Sequence, residues 1–260
     1  MSDLKTYCIF GGVYNNHVAL KALLDTVDAD HFYCLGDIGG FGPSPDKVFP
    51  MLQRDDVSVM QGNYDHSIGN RLDDCACGYV DPRDQHFAQI SYDYTLANTS
   101  EHNKDWLRDL PTEFRLTWGT TSVLLAHGSP RRTNEFLWES TTSDTFLEHL
   151  LSQEKVDALF VTHTGIPWIR NLPSGKIVVN VGVIGRPPND GTHDVDYVLV
   201  EVADDGVEIA PHKLSYNFEA LAHEMREEKL PQEFVETVLT GYWTTCLEIL
   251  PAKERAVGTF

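Results

Sequence analysis

The sequence predicts an α/β fold in which a sheet is buried between layers of helix. Three observations predict it. In the first half, short apolar runs alternate with segments of helical period, the pattern of strand–helix–strand units. Several of these runs end in a glycine followed by a polar residue. With glycine counted in place of tyrosine, the apolar fraction of 42% becomes about 45%, in the ordinary globular range.

In chain order, residues 6–10 read as the first strand. A helix follows Asn15-Asn16, good starting residues, and carries Leu20, Leu23, Leu24 and Val27 on one face. Residues 32–35 form the next strand, residues 45–54 a helix with proline at its entry, and residues 57–60 the third strand. The middle is more helical, over residues 85–98 and 101–109. Residues 114–118 and 122–126 flank Gly119-Thr120-Thr121 as a hairpin. A helix over 143–153 precedes strands at 158–161, 177–181, 195–202 and 206–211. Phe218, Leu221, Ala222 and Met225 make one helical stripe, and residues 231–239 a further helix. The remaining tail, from residue 242, has no clear period, and Trp243 and Cys246 are expected to pack on the body. The expected division is a main domain over residues 1–210 and a C-terminal helical extension over 211–260.

Composition excludes several classes of function. The longest apolar runs, such as residues 123–126, fall far short of the ~18–20 residues of a membrane span. A net charge of −19 repels a phosphate backbone, so long nucleic acid is excluded as a general partner. A phosphate-bearing substrate would need clustered arginines or a metal ion. The start Met1-Ser2-Asp3-Leu4-Lys5 has no secretory pattern, so a cytoplasmic location is expected. The five cysteines then read as thiols or metal ligands rather than disulfides, and Cys75-Ala76-Cys77 could bind a metal as thiolates.

Ligands of α/β sheets collect beyond the carboxyl ends of strands. Here those ends carry Gly36-Asp37, Gly62-Asn63-Tyr64-Asp65, His127-Gly128, Thr162-His163-Thr164 and Asn180. Five ends bearing Asp, Asn and two His between them point to a metal site of mixed oxygen and imidazole ligands.

These residues resemble the calcineurin-like metallophosphoesterases, in their small bacterial and archaeal branch. The resemblance rests on Leu35-Gly36-Asp37-Ile38, Gly42-Pro43, Gly62-Asn63-Tyr64-Asp65, His127-Gly128-Ser129-Pro130, Thr162-His163-Thr164 and Asn180-Val181-Gly182, in order over residues 5–202. It implies a two-sheet sandwich flanked by helices, layered α-β-β-α. It also implies a pair of metal ions bridged by one aspartate. The ligands implied for the second ion are all kept: Asp37, Asn63, His127 and His163. Those private to the first are gone. The family's Asp-x-His is Gly12-Val13-Tyr14, and the second His of the late Gly-His-x-His motif is Gly165. Losses confined to one ion imply a mononuclear centre. Where the family has a His that assists the leaving group, paired with the following Asp, this chain has Tyr64 before Asp65.

The expected function is therefore hydrolysis of a small phosphate ester with one divalent metal ion, Mn, Fe or Zn. Tyr14, Tyr64 and Asp65 are the expected catalytic residues, and Arg131, Arg132 and Arg186 the expected substrate-binding residues. Two alternatives stay open. Asp37, His127 and His163 also make the two-imidazole, one-carboxylate set of non-haem iron enzymes. A fold with lost ligands could instead be a non-catalytic binding scaffold.

Overall fold

The computed structural model describes residues 4–257 except residue 205. Residues 1–3, where no secretory pattern was found, and the last three residues of the tail lie outside the described part.

The described residues contain two five-stranded sheets. The first is built from β1 (Lys5–Phe10), β2 (His31–Cys34), β3 (Val57–Val59), β9 (Val195–Ala203) and β10 (Gly206–Leu214), in the order β10-β9-β1-β2-β3. The second contains β4 (Glu113–Trp118), β5 (Thr121–Ala126), β6 (Ala158–Val161), β7 (Trp168–Asn171) and β8 (Ile177–Asn180), in the order β4-β5-β6-β8-β7. In each sheet the inner neighbours run parallel: β1 with β2 and β2 with β3, β5 with β6 and β6 with β8.

The layering follows from the period-two alternation of strands. On β1, Cys8 and Phe10 face a helix-side core with Leu20 and Leu23 of α1 (His17–Thr26). Between them Ile9 turns the other way, into a core shared with Val123, Leu125, Phe160 and Val198. On β5 and β6, Leu124, Ala126, Leu159 and Val161 face Leu147, Leu150 and Leu151 of α6 (Asp144–Glu154). The result is a two-sheet sandwich with helices on both outer faces, the α-β-β-α arrangement.

Several boundaries differ from expectation for identifiable reasons. The single helix over 45–54 is a 3-10 turn at Pro45–Lys47 followed by α2 (Phe49–Leu52). Pro50 has no N–H and its ring excludes a helix running through from residue 45. The hairpin turn is two residues, because Trp118 pairs with Thr121. Helix α4 (Pro82–Asn98) starts earlier than expected, capped by the Asp81 carboxylate, which accepts from the Arg83 N–H. Helix α3 (Asn63–Asn70), α5 (Glu101–Arg108) and β7 complete the body, and α3 and β7 were not anticipated. Strand β10 continues to Leu214 with Pro211 inside it, tolerated because β10 is an edge strand. The chain beyond leads into α7 (Phe218–Glu227), α8 (Gln232–Thr240) and the short α9 (Ala252–Ala256). Leu221, Met225, Phe234 and Val238 of α7 and α8 pack against Tyr14, Phe41 and Val183 from the loops at the strand ends and against Phe87 of α4. These two helices thus cover the face where the polar strand-end residues meet.

Candidate metal centre

Asp37 follows β2 in a left-handed turn, with φ of 85° at Gly36 and 54° at Asp37. A side chain at Gly36 would meet the Gly62 nitrogen at 2.3 Å, so glycine is required for the two loops to cross. The turn is held by Asp65, whose carboxylate accepts from the backbone N–H groups of Asp37 (2.7 Å), Ile38 (2.9 Å) and Gly62 (2.8 Å). The Tyr64 N–H donates to Asp37 Oδ1 at 3.0 Å, which leaves Asp37 Oδ2 facing His127 Nε2 at 3.3 Å.

His127 leaves the end of β5. Its Nδ1 lies 2.7 Å from the Leu35 carbonyl, which can only accept, so Nδ1 carries the proton and Nε2 presents its lone pair to the site. That nitrogen is 3.1 Å from Nδ1 of His163, just beyond β6. Two imidazole nitrogens so close share one proton or one cation. Asn63 opens α3. Its Nδ2 donates to the Cys75 carbonyl at 2.9 Å and points at Cys77 Sγ at 3.4 Å, which fixes Oδ1 on the opposite side.

Asp37, His127 and His163 each place one ligating atom within 4.8 Å of the others, and all three are buried. Two polar atoms of the group, Asn63 Oδ1 and His163 Nε2, are buried with no hydrogen-bond partner. Buried polar atoms are normally satisfied. A donor set of one carboxylate, two imidazoles and one amide, with orphaned atoms within it, fits a divalent cation.

The electrostatics agree. Burial alone would raise the Asp37 pKa, but the charge and hydrogen bond of His127 and the charge of His163 outweigh it and hold the carboxyl below its usual range. Burial lowers the His127 pKa, and Asp37 more than restores it. Burial, then the His127 charge, pushes His163 down to about 3, so its ring is neutral and able to ligate.

The family model of the calcineurin-like phosphoesterase superfamily domain matches residues 9–205. The chain belongs to this superfamily. It is 22% identical over 252 residues to an uncharacterised protein of Methanocaldococcus jannaschii, covering 90% of this chain and 97% of that one. A crystal structure of a hypothetical protein from Pyrococcus horikoshii superposes with a TM-score of 0.74 at 20% identity, covering 92% of this chain and 99% of that one. A metallophosphoesterase from Sphaerobacter thermophilus gives 0.70 at 23% identity, over 92% and 100% of the two chains. At these identities the structural likeness speaks for the fold. Membership implies a divalent metal, and the Asp37–His127–His163 group is where this phosphoesterase-family chain can hold one.

Gly12 and Gly165, the two positions where the resemblance implies further ligands, both have left-handed backbone that favours glycine. Gly12 has φ 51°, and a side chain there would meet Val183 at 2.3 Å. A Cβ at Gly165, where φ is 75°, would lie 3.4 Å from the Trp243 ring and 3.6 Å from Arg186 Nη2, in ordinary contact. The Arg186 guanidinium lies 3.5 Å over the Trp243 ring and 5.7 Å from the centre of the Tyr14 ring. It is only 7% exposed, and its Nε has no partner. Its polar neighbours are Tyr14, Tyr79 and Cys246 rather than a carboxylate. Together with Tyr14, Tyr64, Asp37 and His163 it lines a cavity of about 50 Å³, closed from the C-terminal side by Phe234, Thr245 and Cys246.

The remaining site residues fall as follows. Tyr64 is buried on the cavity wall and its hydroxyl donates to the Ala88 carbonyl or Ser91 Oγ, both at 3.3 Å. Asp65 does not pair with the residue 64 side chain, because its oxygens are taken by backbone N–H groups. Arg131 and Arg132 are exposed, and Arg131 is drawn off to Glu135 and the Phe146 ring. The reading of Cys75 and Cys77 as thiols or metal thiolates is corrected: the two are joined in a disulfide, while Cys8, Cys34 and Cys246 are free. Spacing hid their role, since Cys75 and Cys77 meet Asn63 only through the fold. Packing of Trp243 on the body was expected, but its place under the Arg186 guanidinium, and Thr245 in the cavity wall, were not, because no period marks the tail.

Proposed function

We propose that this protein hydrolyses small phosphate esters with a single divalent cation, manganese, iron or zinc, and with Arg186 as a fixed second positive charge. The observation that carries the reading is a buried guanidinium with no carboxylate partner among the described residues, sharing one small cavity with Asp37 and His163. A buried charge is ordinarily paired. An unpaired one beside a cation site calls for an anionic ligand, and a planar guanidinium matches phosphate oxygens in bidentate geometry.

The cation would be held by Asp37, Asn63, His127 and His163. When bound it supplies Lewis-acid stabilisation of charge on the phosphoryl group. Arg186 binds the remaining phosphoryl oxygens and orients the ester. Tyr64 and Tyr14 are buried, which pushes both phenol pKa values well up. They therefore act as hydrogen-bond donors and not as bases near neutral pH. The cavity is several times the ~10–15 Å³ that one water needs, enough for a phosphoryl group but not for a nucleotide. The ester's organic part then meets the apolar wall of Phe41, Phe87 and Phe234.

The test is elemental analysis of protein loaded with each metal, combined with turnover of small phosphate esters. About one ion per chain is expected, and His127→Ala and His163→Ala should each lose both the ion and the turnover. Two ions per chain, or full turnover in those variants, overturns the reading.

A further inference from the structure

The ring closed by Cys75 and Cys77 sits behind the metal centre. The Cys75 carbonyl and Cys77 Sγ receive the Asn63 amide, at 2.9 and 3.4 Å, and so aim Asn63 Oδ1 away from themselves, where it has no partner. One of the four candidate ligands, Asn63, therefore rests on this short disulfide ring. Cys77 itself lines the inner cavity. On its outer side the ring borders a groove of about 400 Å³, with Asp74, Tyr79, His86 and Gln89. The groove gives a small reductant a path to sulfurs that are otherwise buried, at 5% and 6% exposure.

We propose that the Cys75–Cys77 disulfide is a positioning element of the metal centre, and that its reduction by a dithiol weakens metal binding. The inference rests on the reading of Asp37, Asn63, His127 and His163 as metal ligands. In the oxidised protein the ring fixes the main chain from residue 75 to 77, and with it the direction of the Asn63 amide. Reduction removes that constraint. One thiolate of the dithiol attacks a cystine sulfur and the S–S bond breaks. The second thiol then displaces the mixed disulfide. Cys75 and Cys77 end as two thiols, and the two electrons come from the dithiol, which closes to a cyclic disulfide. Groups that orient metal ligands from behind typically govern 10–100-fold in affinity.

The experiment uses the full chain, stripped of metal, in three states: oxidised, reduced with dithiothreitol that is then removed without air, and reoxidised. Thiols are counted in denaturant. Manganese(II), which prefers oxygen donors to thiolate, is titrated by calorimetry and by its electron paramagnetic resonance signal. The oxidised protein should show three free thiols and the reduced protein five. Manganese affinity should fall at least tenfold on reduction and recover on reoxidation. A Cys75→Ser/Cys77→Ser double variant should bind weakly in every state. The wild-type comparison decides even where that variant fails to fold. Five free thiols in the oxidised protein, or equal affinity in the two states, overturns the proposal. Three thiols with no manganese binding in any state overturns the metal-ligand reading, and this inference with it.

Discussion

At the scale of single residues, Asp65 organises the centre without touching its cavity. Its carboxylate collects three backbone N–H groups from two loops, and that is what allows Asp37 to sit in a left-handed turn. Asp65→Asn offers an NH2 group where an acceptor is needed. It should lose about 3 kcal/mol of stability in a denaturant titration, the range of hydrogen bonds to charged groups. Arg186 acts differently. Arg186→Gln keeps much of the volume over Trp243 but removes the charge. Under the proposed function it should raise KM for a phosphate ester, or its Ki for inorganic phosphate, by tenfold or more while the bound metal stays at its wild-type level. Steady-state kinetics with elemental analysis separates this from a general loss of the site.

At the scale of elements, the loop after β1 has no room for a carboxylate at Gly12, the position where the family resemblance implies a ligand. Gly12→Asp places a side chain at φ 51° and 2.3 Å from Val183. We expect it to cost about 2 kcal/mol through overpacking and backbone strain, and not to add a second ion. Thermal unfolding and metal content measured on the same sample check both halves. Between β1 and the edge strand β10, β9 carries Asp196 at the position paired with Lys213 of β10. The Lys213 amine goes instead to Asp190, at 2.6 Å. Asp196 Oδ2 is left buried without a partner, and burial pushes its pKa up to about 7. The folded protein therefore keeps this proton where the unfolded chain, with an ordinary carboxyl, has lost it. Stability falls as pH rises from about 4 to 7. The full cost, of order 4 kcal/mol, is present above that window. Asp196→Asn stays neutral and should flatten this dependence, leaving the variant more stable than wild type at pH 8 in urea titrations.

At the scale of the whole molecule, a net charge of −19 is spread over a body that buries an Asp37–His127–His163 cluster able to hold a cation. Self-repulsion of the acidic surface is screened by salt, so thermal stability should rise between 10 mM and 500 mM sodium chloride in a calorimetric scan. The alternation of strand and helix around a buried sheet was legible from residues alone, while the α-β-β-α layering followed from the family resemblance; Cys8, Ile9 and Phe10 are all apolar, so which of them faces helices and which the other sheet was decided by the fold. The four candidate ligands were legible too, because strand ends must converge at one edge of a parallel arrangement. What remained hidden depended on contacts between residues far apart in the chain. Asp65 serving backbone amides, Arg186 lying between Tyr14 and Trp243, and Asn63 held by the Cys75–Cys77 ring are of this kind. A residue type and its spacing report local geometry. Whether a buried polar atom finds its partner, and whether a buried charge meets another charge or a cavity, is set only when the loops close on one another.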